Sequence, residues 1–169
     1  MFFKQLQRLG KALMTPVSVL PAAGMLVGLG RLLMNQQGIW FSMGKIMFNG
    51  GISIFNSLAL IFAIGVAIGF SGNVVAALSA GVGFTVYKKV LQVMAELNQI
   101  AGKTGGKIQE INTGVFGGII IGILAAQLYK KFYDTELPSY LGFFSGKRLV
   151  PILTTVASLL LAVLISFIW

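Results

Sequence analysis

Residues 46–87 read IMFNGGISIFNSLALIFAIGVAIGFSGNVVAALSAGVGFTVY, forty-two consecutive residues without an Asp, Glu, Lys or Arg. Three more charge-free runs lie at 12–30, 111–129 and 149–169. A helix rising ~1.5 Å per residue needs about 20 residues to cross a hydrocarbon core ~30 Å thick. A charge at the middle of that core costs about 2.5–3.5 kcal/mol, so gaps of this length have a physical cause. The pattern predicts an all-α membrane protein: a polytopic bundle of about five transmembrane helices with an amphipathic helix at the N-terminus.

The remaining composition narrows the chemistry. Of 169 residues 56% are hydrophobic and only 10% charged, so spans and short connections use nearly the whole chain. The net charge of +9 comes from basic residues scattered between apolar runs. That pattern suits topology determinants and anionic lipid, not nucleic acid. There is no Cys and no His, which excludes thiol nucleophiles, thiolate metal sites and histidine proton shuttles. The only acids are Glu96, Glu110, Asp134 and Glu136, all near or beyond the ends of apolar runs. No catalytic residue, cofactor or metal is expected, and an acid relay inside the membrane has almost no candidates.

Along the chain, residues 1–11 place Phe2, Phe3, Leu6 and Leu9 at helical spacing among Lys4, Arg8 and Lys11, an interfacial helix leading into residues 12–169. A span over about 12–34 contains Pro16 and Pro21 and is predicted to be kinked or partly unwound. Asn49-Gly50-Gly51 predicts a turn or interruption before a second span at about 54–71, which ends at Ser71-Gly72-Asn73. The third starts at Val74, yet Lys88 and Lys89 follow after only about 21 Å of helix. Those lysines either snorkel to an interface, the plainer reading, or face an aqueous space walled by protein. Residues 98–110, with Gly102, Gly105 and Gly106, read as an exposed loop; spans at about 111–129 and 149–169 follow.

The first run is followed by Arg31 and lacks an Ala-x-Ala pattern, so a cleaved leader is not expected. The positive-inside rule puts the N-terminus in the cytoplasm, with Lys4, Arg8, Lys11, Lys130, Lys131, Lys147 and Arg148 inside. Arg31, Lys45, Lys103 and Lys107 then lie outside.

Glycines recur at four-residue intervals: Gly24 and Gly28, Gly65 and Gly69, and Gly114, Gly118 and Gly122. In lipid, small residues that let backbones approach mark packing faces. These seven are predicted to serve helix packing or dimerisation, and none of them identifies a substrate.

Four blocks go further. Lys11-Ala-Leu-Met-Thr-Pro-Val-Ser-Val-Leu-Pro-Ala-Ala-Gly24 resembles the opening of the permease part, enzyme IIC, of bacterial sugar phosphotransferase systems of the glucose, N-acetylglucosamine and maltose type. Leu60–Gly69, Asn112–Ile120 and Leu137–Pro151 are similar to later blocks of that family, in the same order.

The resemblance implies the first, scaffold and dimerisation, half of a permease domain in the bacterial inner membrane. Further spans would bring a Gly-Ile-Thr-Glu-like motif and a His for the sugar. It also implies enzyme IIA and IIB partners, whose phosphoryl-carrying His and Cys are not in this chain, so the chain is not expected to be catalytic alone. Lys147 and Arg148 fall in a basic loop that either meets enzyme IIB, gates the sugar path, or simply anchors the membrane edge. The family often has Asp where Asn112 stands, which leaves glucose and N-acetylglucosamine both open. The alternative function is a non-transporting fragment that associates with an intact permease, distinguished by whether adding the other half restores sugar phosphorylation.

Overall fold

The computed structural model describes residues 2–100 and 111–168, all helical or connecting, with no strand among them. Helix α1 is Phe2–Val17, α2 Leu20–Leu33, α3 Ile39–Asn56, α4 Leu58–Ser71, α5 Val74–Ile100, α6 Gly114–Phe132 and α7 Leu149–Ile168. Two 3₁₀ turns, Ser139–Phe144 and Gly146–Arg148, join α6 to α7. Among the described residues, four helical stretches are long and apolar enough to cross a membrane: Gln7–Leu33, Val74–Asn98, Gly114–Phe132 and Gly146–Ile168. Helices α3 and α4, bent by 55° at Ser57, make a fifth if the pair counts as one broken span. This is an all-α polytopic membrane protein. The predicted loop with Gly102, Gly105 and Gly106, and with it Lys103, Lys107 and Glu110, falls outside the described residues.

The breaks follow local chemistry. Pro16 offers no N–H to the Ala12 carbonyl, and Pro21 none to that of Val17, and the first span is interrupted by a turn at Ser18–Val19. The helix that begins at Phe2 runs on through Lys11 to Val17 before that turn. Ser71-Gly72-Asn73 ends α4 as predicted. Gly72 takes φ +68° and donates to Ile68 O at 2.7 Å, while Asn73 Oδ1 accepts the Val75 N–H at 2.9 Å and starts α5.

Asn49-Gly50-Gly51 is a correction. The helix continues through it, because Asn49 Nδ2 bonds back to Lys45 O at 2.7 Å and Gly51 seats against α2. The interruption comes instead at Ser57.

Small residues set the packing. A Cβ on Gly30 would lie 2.8 Å from Gly44 O, and one on Gly51 would lie 2.9 Å from Ala23 O. Helices α2 and α3 therefore touch backbone to backbone, antiparallel, as an arm that packs chiefly on itself. In the body, Gly65 meets the Pro16 ring and Gly69 meets Ala12, so α1 runs antiparallel to α4. Gly118 meets Ala59 and Gly122 meets Ala63, so α6 runs parallel to α4. Gly83 of α5 faces Thr154 and Ser158 of α7, whose inward row also carries Val150, Ala162 and Ser166. Around these contacts lies a core of Ala63, Ala67, Ala76, Ala80, Phe84, Tyr87, Leu91, Ile121, Ala125 and Ala162. Alanine dominates because dispersion between closely approaching backbones, not expulsion of water, holds helices together in lipid.

Candidate functional site: a basic cavity at the α3–α4 elbow

The bend at Ser57 has a consequence for the space beside it. Helix α4 starts anew at Leu58, and α6 starts at Gly114 alongside it, because Gly118 rests on Ala59. Two helix N-termini, each with unpaired first-turn amides and a partial positive charge, thus open on the same side. Helix α5 crosses beside them and completes a cavity of roughly 670 Å³. Its wall carries Ser57, Tyr87, Lys88, Lys89, Asn112 and Thr113, with no acidic residue among the described residues that line it. The two lysines that interrupt the third span therefore lie on the wall of this recess.

Hydrogen bonds tie the rim of the recess together. Tyr87 is 1% exposed and its hydroxyl donates to Thr113 Oγ1 at 3.0 Å, tying the middle of α5 to the start of α6. Asn112 Oδ1 accepts the Gly114 N–H at 2.9 Å, and Gly114 takes φ +51°, a conformation that suits glycine. Gly117, one turn later, leaves room for the Tyr87 ring. The arrangement can hold a polar or anionic group. Among the described residues it contains no cluster of acids able to bind a metal.

The predicted site residues separate into groups. Gly65, Gly69, Gly118 and Gly122 all lie at close helix contacts within the body. Gly24 and Gly28 have nothing within 4 Å of where a Cβ would stand, on an exposed face of the arm, and Gly114 is likewise open. Lys147 is exposed in the α6–α7 connection. Arg148 beside it is held by its own loop: its guanidinium sits 4.6 Å from the Phe143 ring centre, and Nη1 donates to Phe143 O at 3.3 Å. Tyr140 and Phe143 project outward next to it, 82% and 71% exposed. These residues are about one loop and are not near the elbow cavity.

Gly30, Gly44 and Gly83 also stand at close helix contacts although they fall outside the four-residue spacing, and Gly51 is a packing position where a turn was expected. Gly44 and Gly51 are seven apart, two full turns on one helix face, and that spacing was the available signal. Ser57 carried none.

The sequence matches a known family, described as phosphotransferase system, EIIC, over residues 10–169. This chain belongs to the EIIC family. Among curated relatives, it is 48% identical over 174 residues to the PTS system glucosamine-specific EIICBA component of Bacillus subtilis (strain 168), which covers 99% of the chain and 26% of the relative. It is 47% identical over 192 residues to the glucose-specific EIICBA component of Staphylococcus carnosus (strain TM300), covering 99% and 28%. It is 40% identical over 203 residues to the glucoside-specific EIICBA component of the same organism, covering 99% and 29%. The chain therefore spans between a quarter and a third of the length of these relatives. The EIIC resemblance read from the four blocks is borne out. The glycine contacts and the elbow cavity belong to an EIIC fold.

Proposed function

We propose that this EIIC chain forms the frame of a permease that carries glucose or a closely related hexose such as glucosamine across the bacterial cytoplasmic membrane, coupled to phosphorylation. The observation that carries the reading is the family match over residues 10–169, with relatives whose names specify glucosamine, glucose and glucoside. None of these three names N-acetylglucosamine, so glucose and glucosamine are the sugars to test first. The relatives are EIICBA components, which supports EIIB and EIIA as partners. Sugar recognition and phosphoryl transfer are assigned to groups outside this chain, since it has neither His nor Cys to carry phosphate.

The body is the fixed element and the arm bearing Gly24 and Gly28 the dimer contact. Supporting this, the body is cross-braced by backbone contacts, while the arm's outer face has open space at both glycines. The N-terminus lies in the cytoplasm. In support, the Ala12–Gly69 contact places the basic start of α1 at the same end of the bundle as the start of α5. The run of α6 parallel to α4 brings Lys130 and Lys131 to that end too. Lys147 and Arg148 then face EIIB.

The test is phosphoenolpyruvate-dependent phosphorylation of glucose and glucosamine in membranes holding this chain. Alone it should yield no sugar phosphate. Co-produced with the remaining EIIC helices and EIIB of a relative, it should restore the reaction. Sugar-specific uptake by the chain alone would refute the assignment, and failure after demonstrated assembly would reduce it to an interaction role.

A further inference from the structure

Helix α5 carries a polar face where a membrane-crossing stretch has least reason for one. Lys88, Lys89 and Gln92 follow Thr85 by three, four and seven residues, which puts all four on one side of the helix. All four line the elbow recess. Glu96 continues that face one turn further on. Lys88 stands about 21 Å of helix past Val74, and Lys89 about 14 Å short of Asn98, so both lie well inside the crossing stretch Val74–Asn98. Charges at such a depth are costly in lipid and persist where they face protein or a water-filled cavity. The rest of the lining comes from interrupted backbone: α3 and α4 meet at 55° beside Asn56 and Ser57, and α6 begins after Asn112-Thr113. Irregular backbone inside a membrane is tolerated where it lines a cavity, and transporters build solute sites at such broken helices.

We infer, resting on the hexose-permease reading above, that this face of α5 is a wall of the solute path and that the recess holds a hexose in passage. The frame thereby takes a share in holding the sugar, whose final recognition lies elsewhere. Three side-chain amides, Asn56, Gln92 and Asn112, line the recess together with the lysines. An amide offers a donor and an acceptor at once, which matches a sugar hydroxyl that does both, whereas a lysine offers donors alone. Asn112 Oδ1 is committed to the Gly114 N–H, so the part of that residue falls to its Nδ2 as donor. Phe55 and Phe84 add rings to the same lining, apolar surface suited to the C–H faces of a pyranose. A small anion would need only the lysines; the amides and rings are what a sugar requires in addition. The volume of roughly 670 Å³ falls within the ~300–1,000 Å³ usual for small-molecule sites. The Tyr87–Thr113 bond ties α5 to the start of α6, and so ties one side of the recess to the other.

The chain has no cysteine, so single cysteines can be read one at a time in membranes where it is co-produced with the remaining EIIC helices and EIIB of a relative. The probe is sulfonatoethyl methanethiosulfonate, a charged reagent that modifies thiols in water and not in lipid. Thr85→Cys, Lys88→Cys and Gln92→Cys should react, and saturating glucose or glucosamine should slow each by roughly fivefold or more, while glycerol does not. Leu160→Cys, at a position 58% exposed on the side of α7 away from the core, should stay unmodified. Gln92→Ala should raise KM for the hexose roughly fivefold with kcat little changed, the mark of one lost hydrogen bond made equally in ground and transition states. Co-purification of the remaining helices shows that each variant assembles; where one fails, Lys89→Cys reads the same face. Thiols on α5 as silent as Leu160→Cys would mean that the face is covered, and the proposal fails. Modification that neither hexose slows, with KM unchanged in Gln92→Ala, fails it as well, since the recess is then wet but no station for the sugar. Protection by inorganic phosphate in place of hexose would make it an anion pocket and equally overturn it. If the wild-type assembly phosphorylates neither hexose, the permease reading falls on its own, and protection of the α5 thiols by either sugar still decides whether the recess holds one.

Discussion

Gly122→Ala is the sharpest probe of how this bundle is held. A Cβ at that position would stand 2.6 Å from the Ala63 carbonyl oxygen and 2.9 Å from Val66 Cβ, where ordinary contact begins at 3.4 Å. The obstacle is backbone, so no side chain can rotate away, and α4 and α6 must part by about 0.8 Å. A gap of that size forfeits a quarter to a half of each van der Waals well of ~0.1–0.2 kcal/mol. Over a neighbourhood of some 40 atom pairs this amounts to about 2 kcal/mol. Alanine returns up to about 1 kcal/mol through its better helix propensity, so the net loss is about 1–2 kcal/mol. Gly50→Ala is the control: nothing lies within 4 Å of its Cβ position, and only the propensity gain applies. The assay is thermal unfolding in a fixed detergent, followed by circular dichroism. Gly122→Ala should melt several degrees lower and Gly50→Ala at or above the parent. Equal shifts of the same sign in both variants would sink the idea that backbone proximity between α4 and α6 stabilises the fold.

Three other outcomes are expected. Tyr87→Phe should destabilise by about 0.5–1.5 kcal/mol through loss of the Thr113 bond, with Thr113→Val similar; because both remove one interaction, the double variant should fall well short of their sum in the same melting assay. The chain has no cysteine, so single replacements report sidedness directly: Ser139→Cys should be shielded from an impermeant maleimide in intact cells and Asn35→Cys labelled, and the reverse pattern would invert the proposed orientation. Gly24→Trp should abolish cross-linked dimer while leaving the monomer's melting temperature unchanged, because that position opens on empty space; persistence of the dimer would move the interface elsewhere.

Much of this architecture was legible in the chain because its cause is local. Absence of charge over about 20 residues is a property of sequence alone, and it located the spans within a few residues at 74, 114 and 149. Pro16, Pro21 and Ser71-Gly72-Asn73 act on their own backbone and were read correctly. Asn49-Gly50-Gly51 was misread because turn propensity is weak against a neighbouring helix that needs glycine at Gly51 for close approach. Ser57 could not be found in advance, since a serine at a bend and a serine inside a helix look alike.

The order of hydrophobic and charged residues by itself determined that this is a helical EIIC membrane protein whose chain carries no phosphoryl-bearing His or Cys, because solvation by lipid and the identity of functional groups are written residue by residue. Which glycines bear a neighbouring helix and which face open space was decided only when the helices met. So was the convergence of Ser57, Lys88, Lys89 and Asn112 on one recess, residues up to 55 positions apart in the chain. Proximity across such separations depends on the relative placement of α3, α4, α5 and α6, and that placement is set by backbone contact distances that no single stretch of sequence contains.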